Sequence, residues 1–144
     1  MTANEKINLL RAIFKDFAAS GDTARLMESL TEDVTYQVSI GPGTPLSGEF
    51  RGKDGVASYF RDMPSAVEHV GFNVYDFLAN DDKAVVTGDE TLRVVKNGVV
   101  FFTEWVVVCS FREDKICRIL VVENLGALSQ AYDAPPASPP AATT

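Results

Sequence analysis

The segment 91–105, TLRVVKNGVVFFTEW, consists of two apolar runs joined by an Asn-Gly pair at residues 97–98. Asn-Gly between runs rich in Val and Phe is the strongest short-range signal for a β-hairpin and predicts a two-residue type I′ turn. That turn sets the register of the ladder and places Glu90 opposite Trp105. The predicted hairpin therefore carries a carboxylate in the middle of an apolar ladder.

The same apolar alternation continues on both sides of the hairpin and predicts a β-meander. Its strands are joined by short turns, which require neighbouring strands to run antiparallel. Val34, Tyr36 and Val38 alternate with polar neighbours and indicate an earlier strand, and the Gly- and Pro-rich residues 41–52 predict a loop at the rim of a cavity. The four strands of the meander are expected over residues 72–79, 83–96, 99–112 and 115–124.

Apolar residues at helical spacing precede the meander. Thr2 and Glu5 have the spacing of a capping box for a first helix, Asp22 can cap a second, and Pro64 is expected to stop a third. Helices followed by an antiparallel meander indicate an α+β fold with the helices on one face of the sheet. The three predicted helices cover residues 5–19, 23–30 and 53–63.

The composition is that of one acidic domain. The 144 residues, 46% of them hydrophobic, suffice for a single core that supports a cavity. A net charge of −7 argues against nucleic acid or an anionic membrane surface as partner, because both attract clustered Lys and Arg. No leader or membrane span is apparent, so a cytoplasmic location is expected. We predict a domain over residues 1–132 and a flexible Pro- and Ala-rich tail over residues 133–144.

Metal, thiol and cofactor chemistry are not indicated. Cys109 and Cys117 lie within predicted strands and are expected to pack as small core side chains. His69 is the only histidine and has no Cys near it, which argues against a zinc site. Because no phosphate loop, dinucleotide fingerprint or nucleophile elbow is present, we expect neither a metal nor a cofactor.

Three segments carry a resemblance to a known family: FKDFAASGDTARLMESLTEDVTYQV, FRGKDGVASYF and EWVVVCSFREDKICRILVVENLGAL. Together with the order of the elements, they resemble the SnoaL-like group of the nuclear transport factor two-like superfamily over roughly residues 5–130. The resemblance implies a cone-shaped, strongly curved antiparallel sheet with three N-terminal helices closing a pocket, usually in a homodimer. Members include steroid isomerases, polyketide cyclases, epoxide hydrolases and transport factors, so the fold does not select the function.

The register of the next hairpin decides which side chains face that pocket. A three-residue loop, residues 113–115, with a left-handed residue and a bulge pairs Trp105 with Glu123. A two-residue loop would instead turn Glu123 to the other face. With the first register, Glu90, Trp105 and Glu123 form one row across three strands. The predicted pocket lining comprises Phe14, Tyr36, Val38, Glu90, Leu92, Trp105, Val107, Val121 and Glu123.

Glu90 and Glu123 are the candidate catalytic residues. Enclosure by apolar side chains raises the pKa of a carboxyl group, and a second carboxyl nearby drives the two values apart. Such a pair suits general acid-base catalysis on an apolar substrate, with Tyr36 as a further hydrogen-bond donor. In the alternative, Glu90 only accepts hydrogen bonds from Trp105 or Tyr36, and Glu123 lies in water at the rim.

The mechanisms of the resembled enzymes restrict this choice. The positions similar to the tyrosine and the two aspartates of the steroid isomerases are Phe14, Val38 and Val107, and the apolar side chains exclude that mechanism. The positions similar to the water-activating residues of the epoxide hydrolases lie near Glu90, Leu92 and Val121, of which only Glu90 is polar. The position similar to the acid-base aspartate of the cyclases lies near Val121, which is apolar. Two functions remain: an isomerase, cyclase or hydratase for a polyketide-, steroid- or terpenoid-like substrate, or a non-catalytic domain for hydrophobic-ligand binding or dimerisation.

The opposite face of the meander mixes charged and apolar side chains. Glu104 lies on this face and is expected to pair with Arg93 or Arg118. The mixture is too apolar for open water and too polar for a core, so we predict that this outer face forms a homodimer interface. Its apolar members are Phe102, Val106, Val108, Leu120 and Val122.

Overall fold

The computed structural model describes residues 1–124 and 126–137. In this part of the chain, two helices precede the first strand, a third lies between the second and third strands, and a fourth follows the last strand. The predicted α+β class is confirmed. The elements are α1 (Ala3–Ser20), α2 (Ala24–Glu28), β1 (Leu30–Ser39), β2 (Gly48–Arg51), α3 (Gly52–Ala66), β3 (Val67–Ala79), β4 (Lys83–Val94), β5 (Val100–Arg112), β6 (Lys115–Glu123) and α4 (Ala127–Asp133).

The strands form one six-stranded sheet in the order β2-β1-β6-β5-β4-β3. Neighbouring strands are antiparallel except β1 and β6, which run parallel. Strand β2 was not predicted, because it lies in the Gly- and Pro-rich segment and pairs only with β1 at the sheet edge. Shifts of register in β1, β3 and β6 bend the ladder. The sheet is therefore curved, with its concave face toward α1 and α3.

The β4–β5 hairpin differs from the predicted two-residue turn. Its loop covers residues 95–99, because the Asn97 side chain is recruited elsewhere: Nδ2 donates to three carbonyl oxygens at the end of α4, at 2.7, 3.3 and 3.1 Å. The ladder is shifted by two residues, and Gly88 rather than Glu90 lies opposite Trp105. Since side chains alternate with a period of two, Glu90 nevertheless keeps its predicted face.

The β5–β6 hairpin reaches the predicted register by another route. Its turn is one residue shorter than predicted, because Lys115 already belongs to β6, but Glu113 does adopt the expected left-handed conformation, with φ 58°. The additional residue is Cys117, which has no partner in the ladder and forms a bulge in β6. This bulge restores the pairing of Trp105 with Glu123, so the prediction for that pair is confirmed.

Helix α1 is capped as the sequence predicts and is attached to the far end of the sheet. The Glu5 amide donates to Thr2 Oγ1 at 3.1 Å, and the Thr2 amide donates to Glu5 Oε1 at 3.0 Å. Lys6 is buried, and its ammonium donates to the carbonyl oxygens of Asn80 at 3.1 Å and Asp81 at 2.6 Å. These charge-assisted bonds hold α1 against the β3–β4 turn.

The boundary between α3 and β3 was predicted wrongly. Pro64 does not stop α3, which continues to Ala66 although the proline removes one backbone donor from the last turn. Strand β3 then begins at Val67, five residues before its predicted start. The longer strand brings His69 into the ladder opposite Leu92.

Helix α4, near the end of the described chain, was not predicted. The predicted flexible tail, residues 133–144, falls mostly outside the described residues. In its described part, Asp133 ends α4 and the Ala137 amide donates to the Asn97 carbonyl at 2.8 Å. Within residues 1–124 and 126–137, no helix is long and apolar enough to cross a membrane.

The close approach at Gly88 generates a test of the fold. A Cβ atom at this position would overlap the Asn73 carbonyl oxygen and the Trp105 indole. We therefore expect Gly88→Ala to lower the free energy of unfolding in urea by roughly 1–3 kcal/mol, the usual cost of overpacking. The matched control is Gly71→Ala in the neighbouring strand, where the nearest atoms lie 3.9 Å from the new Cβ. Equal unfolding midpoints for the two variants would contradict the close contact.

Candidate active site

A cavity lies between the concave face of the sheet and the helices. Its walls come from α1, α2, α3, α4 and strands β1, β3, β4, β5 and β6, and the free space inside amounts to about 120 Å³. Most of the lining is aliphatic or aromatic. All nine residues predicted to line the pocket border this cavity: Phe14, Tyr36, Val38, Glu90, Leu92, Trp105, Val107, Val121 and Glu123.

Glu90 and Glu123 form a pair of carboxyl groups in the cavity wall. Glu90 is buried, with 7% of its surface exposed. Burial raises the pKa of Glu123 to about 8, and the charge of Glu90 and a hydrogen bond with Glu90 add to the shift. Two adjacent carboxylates in an apolar site cannot both ionise without mutual repulsion. The raised pKa therefore favours the protonated form of Glu123 at neutral pH.

His69 extends this pair toward the surface. Its Nε2 lies 3.3 Å from Glu90 Oε2, and 30% of the His69 side chain is exposed. The ring packs edge-on against Phe17 and Phe72, at centroid distances of 5.7 Å in both cases. His69 thus contacts Glu90 directly and, being partly exposed, connects it with solvent.

Two tyrosines supply neutral hydroxyl groups to the same cavity. The rings of Tyr36 and Tyr59 lie 4.6 Å apart between their centroids, and both side chains are buried. Burial raises the pKa of Tyr36 well above its usual value, and burial likewise raises the pKa of Tyr59. The charges of Glu123 and Glu90 act in the same direction. Both hydroxyls therefore stay protonated and can serve as donors.

Trp105 forms the aromatic part of the cavity wall. Its indole stacks on Phe14 and on Phe72, with centroid distances of 5.5 and 5.4 Å and interplanar angles of 7° and 15°. The side chain is 96% buried, yet within the described chain Trp105 Nε1 has no hydrogen-bond partner. A buried unpaired donor costs free energy unless a ligand or water accepts from it.

Thiol and metal chemistry are not supported by the geometry. Cys109 lines the cavity, but burial raises the pKa of its thiol to about 12, so the nucleophilic thiolate is scarce at neutral pH. In the described ranges, no group of three or more His, Cys, Asp and Glu side chains is placed to hold a metal ion.

Sequence reasoning missed His69 and Tyr59 as cavity residues. His69 was placed before the predicted start of β3, and only the register of the longer strand brings it beside Glu90. Tyr59 had a usable signal, because it follows the core residue Val56 by three positions on α3 and therefore shares its buried face.

Two arginines on the outer face of the sheet bind different side chains from those predicted. Arg93 Nη1 lies 3.3 Å from Glu68 Oε2, and Arg118 Nη2 donates to Gln37 Oε1 at 3.3 Å. Glu104 is exposed, and its predicted pairing with either arginine is wrong. Glu68 lies in the part of β3 that precedes its predicted start, and Gln37 lies on β1, which the sequence analysis did not place beside β6.

The chain is similar to known proteins in sequence and in fold. A family model for the SnoaL-like domain matches residues 10–119. No curated protein sequence matches the chain.

Solved structures share the architecture. An NTF2-like protein from Burkholderia xenovorans LB400 is 24% identical with a TM-score of 0.79, and the alignment covers 92% of this chain and 99% of that one. An NTF2-like protein from Burkholderia thailandensis E264 is 17% identical with a TM-score of 0.75, covering 93% and 100%. TerC, co-crystallised with polyporic acid, is 18% identical with a TM-score of 0.68, covering 82% and 90%. At these identities the likeness concerns the fold alone.

The raised pKa of Glu123 predicts a pH-dependent stability. Between the ordinary pKa of 4.5 and the folded-state value of about 8, the folded chain binds more protons than the unfolded chain. The stabilisation is complete below pH 4.5 and is lost as the pH rises through 8. We expect urea unfolding to show this loss in the natural protein and to show a smaller one in Glu123→Gln.

The matched control for this series is Glu104→Gln on the exposed outer face, which should follow the natural protein at every pH. Parallel pH profiles for the natural protein and Glu123→Gln would contradict the raised pKa.

Proposed function

Because this chain belongs to the SnoaL-like domain family, whose model matches residues 10–119, we propose that its cavity is the active site of an acid-base enzyme. The reaction class is that of an isomerase, cyclase or hydratase acting on a small apolar substrate. The observation that carries the proposal is the buried pair of Glu90 and Glu123, in which one carboxyl is protonated at neutral pH.

The pair supplies both partners of a proton transfer. Glu90 Oε2 is held by His69 Nε2 at 3.3 Å and acts as the base that takes a proton from a C–H bond next to a substrate carbonyl. Glu123 gives its own proton to the carbonyl oxygen, so an enol forms without a net charge. Return of the proton from Glu90 to a different carbon, and of the enol proton to Glu123, completes an isomerisation. Every proton is accounted for, and no co-reactant is needed.

The surroundings favour this chemistry over simple solvation of the carboxyl groups. Apolar walls strengthen electrostatic interactions inside the cavity, and a pKa of about 8 lies close to working pH. The neutral hydroxyls of Tyr36 and Tyr59 can support the developing charge on a substrate oxygen.

The cavity limits the size of the reacting group. A dry cavity of about 150 Å³ holds one benzene molecule, and this cavity measures about 120 Å³. The part of the substrate that reaches the carboxyl pair is accordingly a single small ring or its equivalent. TerC, which shares the fold, was co-crystallised with polyporic acid, and this supports an organic ligand for the present chain. A polyketide-, steroid- or terpenoid-like molecule fits only if the remainder extends beyond the cavity.

A second candidate function is binding without turnover, and it is favoured by the unpaired Trp105 Nε1. In that case the indole N–H donates to an oxygen of the ligand, and the carboxyl pair fixes its orientation. The two functions predict the same ligand in the cavity. They differ only in whether the protein exchanges protons with that ligand.

Exchange of hydrogen for deuterium on a ring ketone distinguishes the two functions. In buffered D₂O, the protein is expected to accelerate loss of the α-hydrogens of cyclopentanone, followed by proton NMR. Glu90→Gln should slow the exchange on the order of 10²-fold or more, the usual contribution of a general base.

Glu104→Gln is the matched control and should keep the full rate. Binding of cyclopentanone without accelerated exchange would contradict the enzyme and favour the binding domain. The binding itself can be followed by the fluorescence of Trp105, the only tryptophan.

We further propose that the chain forms a homodimer through the outer face of the sheet. Phe102, Val100 and Val122 are exposed there, with Phe102 at 55%, and an isologous contact would cover the same apolar patch on both copies. The Arg93–Glu68 pair at the side of the patch provides a charged border.

Replacement of Phe102 by Glu tests this interface. Light scattering after size exclusion is expected to give a dimer for the natural protein and a monomer for Phe102→Glu, because a carboxylate would be buried without a partner. Val95→Glu, in the exposed β4–β5 loop, is the control and should stay dimeric. A monomeric natural protein at micromolar concentration would overturn the proposal.

A further inference from the structure

A second depression lies on the surface beside the cavity, and we call it the helical groove. It is bounded by the end of α1, by α2, by α3 and by the first residues of β3, and its free space amounts to about 510 Å³. The residues that line the groove and not the cavity include Gly21, Met27, Ala57, Arg61, Pro64 and Glu68. The groove is thus several times larger than the cavity.

The groove and the cavity share a wall. Six residues line both spaces: Phe17, Thr23, Phe60, Met63, Val67 and His69. Two spaces that share this many side chains are separated by one layer of side chains. A ligand that leaves the cavity on the His69 side therefore enters the helical groove.

Phe17 is the centre of the separating layer. Its ring packs edge-on against Phe60 at 5.9 Å, His69 at 5.7 Å and Phe72 at 5.8 Å, measured between centroids. His69 belongs to the same layer and also contacts Glu90. Movement of Phe17 would join the groove to the space around the carboxyl pair.

The lining of the groove is suited to an apolar chain. Met27 and Met63 are unbranched and polarizable, and such side chains adapt to ligands of variable shape. Arg61 and Glu68 are the charged members, and both are largely exposed, so they mark the end of the groove that meets water. Between the wall shared with the cavity and this charged end, the groove offers an apolar path out of the cavity.

We propose that the helical groove is a second subsite, which holds the unbranched apolar tail of a ligand whose ring lies in the cavity. This inference rests on the proposed function, because it assigns the ring to the same cavity. The predicted ligand class is a small ring that carries an oxygen next to the carboxyl pair and, at the neighbouring ring position that faces Phe17 and His69, an alkyl chain. Phe17 determines how readily the chain passes from one space to the other.

A series of ortho-alkylphenols provides the probes. Phenol occupies the cavity alone, whereas 2-butylphenol extends toward the groove. Burial of one methylene group improves a dissociation constant about fourfold, so we expect 2-butylphenol to bind at least ~10-fold more tightly than phenol. The affinity is measured by calorimetry on the full chain.

Two variants assign the gain to the groove. Ala57 is exposed on α3 and lines only the groove, so Ala57→Trp should fill it and remove the advantage of 2-butylphenol while leaving phenol binding unchanged. Ala19→Trp is the matched control, because Ala19 is exposed on α1 and lines neither space; it should keep the advantage. Phe17→Ala is expected to increase the advantage by opening the separating layer.

The outcomes separate this inference from the proposed function. If phenol binds and the butyl chain adds nothing, or if Ala57→Trp leaves the advantage intact, the second subsite is overturned and the cavity stands. If neither phenol nor 2-butylphenol binds, the ligand cavity itself is contradicted, and the subsite with it.

Discussion

The arrangement of the site depends on one unpaired residue in the sheet, the bulge at Cys117. A two-residue turn between β5 and β6 would by itself turn Glu123 to the outer face, because strand side chains alternate with a period of two. The bulge inserts one residue and returns Glu123 to the concave face, opposite Trp105. Glu90 reaches the same face from β4. Without this one shift of register, the two carboxyl groups would lie on opposite sides of the sheet.

Burial of the two carboxyl groups explains their chemistry. Removing a carboxylate from water is costly, and a second one beside it adds repulsion, so the pair keeps a proton at neutral pH. The arrangement lowers the stability of the fold, since two apolar side chains could pack in the same place without the cost of burying carboxyl groups. A buried carboxyl pair adds nothing to the packing of a core. Its contact with His69 and the neutral tyrosine hydroxyls nearby are consistent with the proton transfer that we propose.

Face assignments were predictable from the sequence, whereas long-range contacts were not. The alternation of side chains gave the correct lining even where the β4–β5 register was wrong by two residues. That register failed because Asn97 binds carbonyl groups at the end of α4, a helix that local spacing did not reveal. The position of His69 was not predicted for a similar reason. Pro64 suggested an early end to α3, and the first residues of β3 are placed only by their pairing with β4. Lys6 is polar in sequence but buried, because the turn that accepts its hydrogen bonds lies 74 and 75 residues away.

The central claim is that Glu123 keeps its proton at neutral pH because it is buried beside Glu90. Carbon-13 NMR of the glutamate side-chain carboxyl groups, titrated with pH, measures this directly. The account predicts one resonance with a midpoint at about 8, which disappears in Glu123→Gln and is retained in Glu104→Gln. A titration in which every glutamate carboxyl ionises below about pH 6, within the ordinary range for this side chain, would contradict it.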